Sequence, residues 1–553
     1  MSPKSVDLKH VEDIDMPVSC WVSIDNTVDL IQSTNDVKDA VEAEHKMTLW
    51  QAIKMYPKAI AFSTTISFAL VMEGYDTALV GGFFSLPQFR QRFGDRLPDG
   101  TYQVSSSWQS GLSNGAQVGE ITGLVVAGII AEKYGYRKTI IGSLFFMIGV
   151  VFLFFFAQNI GMLFAAEVLA GLPWGAFQTL TTTYAADVTP IQLRPILTSY
   201  VNMCWVIGQF VSSGVLRALL TRNDNWAWRI PYAIQWAFPI PIIIACIFAP
   251  ESPYWLARKG RVDEARKALR SLASHRVPDE VVEKTLALVC YTNELEKQSQ
   301  EGTSYSDCFK GVNLRRTEIA VMAWVSQVFS GIWFGGSVTY FMEQAGLTAE
   351  SAFNMGLGNN AVALVATMVA WGTMTRVGRR TMYLIGLTTC FVILITVGFM
   401  GIPLLTSHVD LGWASGALLM CFVIAYDLTL GPICYCLVAE IPSTRLRMKT
   451  AIIARNCYNV ASICANFLVR ALDQRAVTIV VTNNAQNYPI LNPSAWNLRG
   501  KGGFIWCGFC FISLVWAYFR LPEPKGLSPA ELDVLFEKKV SARKFRVPQL
   551  EAL

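Results

Sequence analysis

Histidine, metal-binding spacings and phosphate-binding motifs are scarce or missing in this chain of 553 residues. Only four histidines occur, and none falls in a spacing that binds metal ions, so no metal site is expected. The nucleotide-binding pattern G-x-x-x-x-G-K-[ST] is absent, which leaves an ATP-driven pump without support. No catalytic constellation is found, so an enzyme and a cofactor are not expected. The net charge of +5 says nothing in favour of a nucleic-acid partner, and none is expected.

Charge is also low. Charged residues make up 16% of the chain and hydrophobic residues 52%, whereas soluble domains carry about 25% charged residues. This composition predicts a protein that crosses the lipid bilayer several times. Residues 1–50 are the exception, since they are polar and acid-leaning and lack the pattern of a signal peptide. We expect them to form a cytoplasmic tail.

Apolar runs long enough to cross a bilayer, about 20 residues each, recur twelve times. We number them spans 1 to 12; they cover residues 57–84, 108–131, 139–157, 161–185, 196–220, 230–249, 318–342, 352–374, 381–403, 413–438, 449–470 and 502–520. The predicted organisation is an N-terminal tail (1–50), a first six-helix half (51–250), a cytoplasmic linker with short helices (251–316), a second half (317–521) and a cytoplasmic C-terminal tail (522–553). Four short loops are rich in Lys and Arg. Because loops of this kind usually face the cytoplasm, we expect these loops and both termini to lie on the cytoplasmic side.

The two groups of six spans repeat each other's loops. A Gly-Tyr-Arg-Lys or Gly-Arg-Arg sequence follows spans 2 and 8, an acid and an Arg seven residues apart follow spans 4 and 10, and a Pro-Glu sequence follows spans 6 and 12. Such a duplicated unit predicts a substrate site between the halves and alternating access. The loop charges are candidates for a cytoplasmic gate, or they only fix the topology; they are Glu132, Arg137, Asp187, Arg194, Glu251, Arg379, Arg380, Glu440 and Arg447.

Four stretches resemble one family closely. Together with the repeated loops, residues 250–253 (Pro-Glu-Ser-Pro) and 522–526 (Pro-Glu-Pro-Lys-Gly) resemble the sugar porters of the major facilitator superfamily. Residues 73–76 (Glu-Gly-Tyr-Asp) and 171–185 are similar to the fungal α-glucoside permeases of the maltose type. Thr375, Glu132 and Pro524 depart from the family pattern.

The resemblance implies a fold and a function. The fold is an all-α membrane protein with 12 transmembrane helices in two pseudo-symmetric six-helix halves. The function is proton-coupled import of α-linked glucose disaccharides, such as maltose, by a monomer in the plasma membrane. A porter for monosaccharides or other oligosaccharides is the alternative among transporters. A sugar sensor that does not transport is the alternative from another class.

Acidic residues inside the spans are the main candidates for proton coupling. Glu73 and Asp76 lie near the middle of span 1, where each carboxylate costs about 2.5–3.5 kcal/mol on insertion scales. Their spacing of three puts both on one helix face, where they could share partners or a proton. The alternative is that they only hold neighbouring helices together through hydrogen bonds.

A third acid and one base complete the coupling set. Glu120 lies in span 2 beside a stripe of glycines four residues apart, which allows another helix to approach closely. Arg455 lies in span 11, which the resemblance places against span 2. Three acids against one base leave at least one acid protonated near neutral pH, as a proton carrier requires. The Arg455 pair either breaks and forms as the halves move or is a permanent ion pair. Glu167 in span 4 is a possible coupling residue or faces the cytoplasmic vestibule.

Sugar binding requires polar side chains for hydroxyl groups and aromatic faces for C–H surfaces. The polar candidates, on helices that line the family's cavity, are Gln178, Gln209, Gln327 and Asn459. The aromatic candidates are Tyr75, Trp174, Tyr340 and Tyr435. For each aromatic residue, packing between helices is the competing role. Trp333 stands where the glucose carriers of the family have a sugar-binding Asn, so a simple glucose-carrier pocket is not expected.

Overall fold

The computed structural model describes residues 47–96, 100, 102–190, 192–300, 304–336, 348–402, 409–442, 446–477, 502–525, 532 and 535–545. Among these residues helices occur at all twelve predicted spans, as apolar runs long enough to cross a bilayer favour. Their bounds are Pro57–Ser67 with Ala69–Phe83 (span 1), Ser106–Tyr134 (2), Tyr136–Phe155 (3), Ile160–Val188 (4), Arg194–Leu219 (5), Trp226–Ile234 with the 3-10 helix Gln235–Ala237 and Pro239–Phe248 (6), Gly311–Phe329 with Ile332–Gly336 (7), Ala349–Arg376 (8), Arg379–Met400 (9), Val409–Leu428 with Leu430–Glu440 (10), Arg447–Val477 (11) and Gly502–Arg520 (12).

Shorter elements lie between and beyond the spans. They are the helices Leu49–Met55, Pro87–Phe93, Pro253–Arg258, Val262–Leu272 and Asp279–Gln300, the 3-10 helices Tyr305–Phe309 and Ala542–Lys544, and the antiparallel two-residue strands Asp95–Arg96 and Tyr102–Gln103. The helix Val262–Leu272 is one of the short helices of the predicted linker, with Ala265 and Leu272 buried. The linker returns to the first half, where the Ser274 amide donates to the Met55 carbonyl at 2.8 Å.

Eight helices of the described chain are long and apolar enough to cross a membrane, and nine if a pair bent by 87° at Tyr56 counts as one span. Spans 5, 7 and 11 are the ones that fall outside this set. Spans 5 and 11 carry polar side chains, and span 7 is interrupted at Gly331, whose φ of +88° suits glycine. Polar groups and helix breaks at membrane depth are tolerated where they face protein or a cavity rather than lipid. The three spans therefore belong at the centre of the bundle.

The glycine stripe of span 2 packs against span 4. A side chain at Gly119 would collide with the Val168 carbonyl, and one at Gly123 with the Leu172 carbonyl. Span 4 offers Gly171 and Gly175 in return, which lie against the backbone of span 2. Small residues on both helices let the backbones approach closely. The predicted close approach of a helix to this stripe is confirmed.

Each half has its own hydrophobic core, and the halves meet where span 2 contacts span 11 and where span 5 contacts spans 8 and 10. Gln117 of span 2 donates to Ser462 of span 11 at 2.9 Å. Asn360 of span 8 donates to Ser213 of span 5 at 2.8 Å. The core of the second half also includes Phe536 from beyond span 12, and the Arg316 guanidinium lies 4.5 Å from the centre of its ring. We call the surface between the halves the seam.

A buried ion-pair network between the halves

The centre of the seam holds one base between two acids. Arg455 donates through Nε to Glu120 Oε1 at 3.0 Å, and its terminal nitrogen lies 3.9 Å from Glu73 Oε1. The three residues are 9%, 5% and 3% exposed, respectively. The predicted pairing of span 11 with an acid of span 2 is confirmed. Because removing one partner of such a buried pair costs about 3–5 kcal/mol, the network ties the two halves together.

Aromatic rings complete the surroundings of Arg455. Its guanidinium carbon lies 4.7 Å from the centre of the Trp324 ring and 4.5 Å from that of Tyr458. Trp324 contacts Tyr435 edge to face, with ring centres 4.9 Å apart. Aromatic faces attract a cation, by about 2 kcal/mol or more when it is desolvated. The aromatic rings of the second half can therefore hold the Arg455 guanidinium when an acid of the first half no longer pairs with it.

Glu73 connects the ion pair to the first half. Its Oε1 accepts hydrogen bonds from Gln178 at 2.6 Å and from Trp205 at 3.2 Å. Its Oε2 is buried and receives no hydrogen bond from the described residues. Gly74 allows this arrangement, since any side chain there would collide with the Trp205 carbonyl and push span 5 away from span 1.

Asp76 belongs to a second group of polar residues. Its Oδ1 accepts a hydrogen bond from Gln235 of span 6, and its carboxyl lies within hydrogen-bonding reach of that of Glu167. Two carboxyl groups in this contact need a proton between them. Among the described residues Asp76 therefore shares no partner with Glu73, contrary to what their spacing suggests. Three helix positions correspond to 300°, and the remaining 60° is enough to direct the two side chains toward different helices.

Glu167 is buried, with 1% of its surface exposed. It lies against Gly115 of span 2 and beside Asp76. Glu167 therefore does not face an open vestibule in this structure, and its part in coupling stays a prediction. The side chain instead belongs to the carboxyl pair within the first half.

The polar sugar candidates fall on both sides of the seam. Gln178 donates a hydrogen bond to Glu73. Gln327 donates to the carbonyls of Leu430 and Gly431 at 3.4 Å, where the helix of span 10 is broken. Asn459 is fully buried, and neither of its amide atoms has a hydrogen-bond partner among the described residues. Gln209 is half-buried on span 5, and its carbonyl accepts from Asn360.

The aromatic candidates separate into two groups. Tyr435 lies at the seam beside Trp324. Tyr75 is fully buried in the first half, where its hydroxyl donates to the Pro231 carbonyl at 2.8 Å, and Trp174 is buried in the same core. These placements are those of packing residues. Tyr340 lies outside the described residues.

The candidate gate residues reveal the same capping arrangement in both halves. Glu251 accepts from the amides of Tyr136 and Arg137 at 3.0 and 3.3 Å, and Glu523 accepts from those of Arg379 and Arg380 at 2.8 and 3.1 Å. Each carboxylate thus binds the first amides of the third helix of its half, a favourable place for a negative charge. Burial raises the pKa of the Glu251 carboxyl.

Other gate candidates also find partners within their own half. Arg379 pairs with Glu440 at 3.1 Å, and Asp187 accepts from Ser252 at 2.6 Å. Glu132 is exposed, and its carbonyl accepts from the Trp255 indole. The remaining candidates bear on span ends. Arg137 donates to the Ile247 carbonyl near the end of span 6, and Arg380 donates to the Tyr518 carbonyl near the end of span 12. Arg194 is the first residue of span 5. The side chain of Arg447 lies outside the described residues. A latch between the halves stays a prediction.

Several polar residues of the site were not anticipated from sequence. Trp205, Gln235, Trp324 and Tyr458 contact the charged groups directly. A tryptophan or tyrosine in a span carries no signal that separates it from packing. Gln235 was detectable as a lone amide in an otherwise apolar run.

Two six-helix halves with charged residues buried between them define a membrane transporter of the major facilitator type. The fold is that of a solved proton:xylose symporter of this superfamily, bound to 6-bromo-6-deoxy-D-glucose, with a TM-score of 0.68 and 19% identity over 87% of this chain and 99% of that chain. It also matches the inward-open xylose transporter of E. coli, with a TM-score of 0.63 and 19% identity over 86% and 99% of the two chains.

Sequence comparison identifies the family. The model for "Sugar (and other) transporter" matches residues 62–536, and the chain belongs to this family of multi-pass membrane transporters, which are not enzymes. A maltose permease of Saccharomyces cerevisiae is 38% identical over 529 residues, which are 94% of this chain and 83% of that protein. An alpha-glucosides permease of the same species is 38% identical over 531 residues, with 95% and 85% covered.

Proposed function

We propose that this protein is a proton-coupled symporter that imports α-glucosides of the maltose type across the plasma membrane, with both termini in the cytoplasm and the monomer as the working unit. The observation that carries the proposal is the position of Arg455 at the seam, between Glu120 at 3.0 Å and Glu73 at 3.9 Å. Intramembrane charges that can pair are the usual elements of a proton relay.

The ion pair provides a way to couple proton binding to movement of the halves. While Glu120 and Glu73 are ionised, they hold Arg455 and keep the first half attached to the second. A proton on either acid weakens that attraction, and the Trp324 and Tyr458 rings retain the guanidinium in the second half. Loading and release of the proton then accompany the separation and approach of spans 2 and 11.

Glu73 also provides a route from the proton to the sugar. Its Oε1 is bound by Gln178, which is a candidate sugar contact. An ionised Glu73 holds the Gln178 amide, whereas a protonated Glu73 is a weaker acceptor and leaves that amide available for a sugar hydroxyl. Sugar binding is therefore favoured when the proton is bound, as symport requires.

The carboxyl pair of Asp76 and Glu167 supports a second proton site. It is buried in the first half and is separate from Arg455. A proton held there does not need to break an ion pair. We assign it a part in the proton path, with Gln235 as the residue that orients Asp76.

The names of the relatives support the choice of sugar. At 37–38% identity over most of the chain, they are maltose, alpha-glucosides and general alpha-glucoside permeases. The proposal is tested with purified protein in liposomes, measuring uptake of labelled maltose with the pH gradient directed inward. Uptake should exceed the equilibrium level and collapse when a protonophore is added.

Three outcomes contradict the proposal. Accumulation of glucose with no maltose uptake would support a monosaccharide porter. Maltose uptake that is unaffected by the protonophore would remove proton coupling. Maltose binding without any transport would support a sensor. Empty liposomes and liposomes that contain an Arg455→Leu variant are the matched controls.

A further inference from the structure

The chain beyond span 12 returns to the second half and packs against it. We call residues 535–545 the tail segment. Leu535, Phe536 and Phe545 are part of the buried core of the second half. The rings of Phe536 and Phe545 meet edge to face, with their centres 5.1 Å apart. Because these apolar side chains fix the tail segment to the bundle, its charged side chains have defined positions.

A helix end reverses the chain within the tail segment. Lys539 has a φ of +53°. Its amide donates to the Phe536 carbonyl at 3.0 Å, and the Val540 amide donates to the Leu535 carbonyl at 3.1 Å. This pair of bonds is that of a Schellman motif, which ends a helix at a residue in the left-handed conformation. The Val540 carbonyl then accepts from Arg315 Nη1, at the start of span 7, at 2.9 Å. The reversal and this bond hold the second part of the tail segment against the bundle.

Arg543 lies over the end of span 12. Its guanidinium carbon is 4.4 Å from the centre of the Tyr518 ring and 4.8 Å from that of Phe519. Both rings belong to the last turn of a membrane span and are 48% and 57% exposed, so they face the lipid. Tyrosine at the end of a span is typical of the level of the lipid headgroups. Arg543 therefore lies at headgroup depth on the lipid-facing side of the protein.

The hydrogen-bond donors of Arg543 have no protein acceptor in the described part of the chain. Its side chain is exposed, and its contacts there are the two rings. A ring covers the face of the guanidinium plane, whereas the five N–H donors point outward from its edge. A planar fork of donors matches the oxygens of a phosphate group. Arg543 is thus oriented to bind a phosphate from the lipid side.

The charge around Arg543 also favours an anion. Basic residues outnumber acidic ones in the tail segment; they are Lys538, Lys539, Arg543 and Lys544, against Glu537. Lys539 and Lys544 are exposed and form no ion pair with another described residue. The nearby Glu318 of span 7 does not offset this charge, because Arg520 binds both of its carboxylate oxygens.

We propose that the tail segment binds the headgroup of an anionic phospholipid, with Arg543 as donor to the phosphate and Lys539 and Lys544 as further positive charges. In the proposed orientation this is the cytoplasmic leaflet, which carries phosphatidylserine and phosphatidylinositol. The inference goes beyond the proposed function, since it needs neither sugar nor proton. The position of Arg543 over lipid-facing rings favours a lipid over a soluble phosphate. The bound lipid holds the tail segment to the end of span 12.

The test measures lipid binding to the full chain purified in detergent. Native mass spectrometry follows titrations with phosphatidylserine, phosphatidylinositol, phosphatidylcholine and inorganic phosphate. The double variant Arg543→Gln with Lys544→Gln is compared with the wild type. The matched control, Lys267→Gln with Arg276→Gln, removes the same charge from exposed positions of the linker.

We expect the wild type to bind the two anionic lipids at least tenfold more tightly than phosphatidylcholine. The tail variant should lose about fivefold in affinity for each charge removed, whereas the control should bind as the wild type does. Arg543→Lys keeps a cation over the rings but lacks the planar fork, so it should bind anionic lipid more weakly than the wild type.

Four results would overturn the inference. They are equal affinity for phosphatidylcholine, equal losses in the tail variant and the control, unchanged binding by the tail variant, and displacement of the lipid by inorganic phosphate at equal concentration, which would indicate a site for a soluble anion. Thermal unfolding without added lipid shows whether each variant folds. If the double variant does not fold, Arg543→Lys decides, and wild-type affinity in it would contradict the role of Arg543. Since no sugar or pH gradient is used, failure here leaves the proposed function intact.

Discussion

The two halves of the molecule are alike at the ends that carry the repeated loops and different at their centres. Glu251 and Glu523 bind the first amides of spans 3 and 9 in the same way, and Arg137 and Arg380 donate to carbonyls near the ends of spans 6 and 12. Among the described residues at membrane depth, the first half carries Glu73, Asp76, Glu120 and Glu167, whereas the second carries Arg455 with aromatic rings and the acid Asp427.

This difference distinguishes the residues that stabilise helix ends from the central residues to which we assign transport. The repeated caps close helix ends and require the same residues in each copy. The central residues have no such requirement, and each half has a different set of them. In our account the first half holds the protons, the second half holds the fixed positive charge, and the sugar lies between them.

The largest effect is expected from removing the fixed charge. Arg455→Leu leaves Glu73 and Glu120 without their counter-ion, and breaking a buried pair of this kind costs about 3–5 kcal/mol. Sugar accumulation should fall to background, measured as uptake of labelled maltose into liposomes. The double variant Arg455→Leu with Glu120→Gln should recover part of the thermal stability but none of the accumulation. Accumulation by the single variant at the wild-type level would show that the charge has no part in transport.

A second comparison concerns the close packing of spans. Gly119 of span 2 lies on the Val168 carbonyl, whereas Gly358 of span 8 has only a flexible methionine end 3.8 Å from its Cβ position. Gly119→Ala should lower the free energy of unfolding by about 1–3 kcal/mol, as overpacking does, whereas Gly358→Ala should leave it unchanged or slightly higher. Thermal unfolding in detergent measures both. Equal effects at the two positions would contradict the difference in packing between them.

The smallest effect, of similar size in both halves, is expected from removing the two carboxylates that bind the first amides of spans 3 and 9. Glu251→Ala and Glu523→Ala each leave two helix amides without their acceptor, which costs about 1–3 kcal/mol for a buried group. The two variants should lose similar amounts of stability and keep the ratio of accumulated to external sugar. A loss of accumulation in one of them alone would mean that its cap also acts as a gate.

The sequence was informative where a physical rule has few exceptions. Twelve apolar runs predicted the spans, and the glycine stripe predicted the contact of span 2 with a neighbour, because only small residues allow such an approach. Charge in the membrane pointed to Glu73, Glu120 and Arg455, which the structure brings together. Their role in coupling stays a prediction.

Sequence was less informative where tertiary packing decides. The partners of Asp76 depend on a rotation of 60° around span 1, and the burial of Tyr75 depends on span 6 closing over it. Asp427 met the criterion that marked the other intramembrane acids and should have been singled out for the same reason. Its proximity to Asn202, however, is visible only when span 5 is placed beside span 10.

The most direct test compares one variant in the first half, which we propose binds the protons, with one variant in the second half. Glu120→Gln, in the first half, and Gln327→Ala, in the second, are reconstituted beside the wild type. For each, maltose accumulation under an imposed pH gradient and gradient-free maltose exchange are measured. We predict that Glu120→Gln keeps exchange and loses accumulation, because the link to the proton is weakened. Gln327→Ala should need more sugar for half-maximal exchange, by a factor of about 5–150, as loss of 1–3 kcal/mol implies, and still reach the wild-type accumulation ratio at saturating sugar. If Glu120→Gln concentrates maltose as the wild type does, the buried ion pair is only structural and the account is wrong.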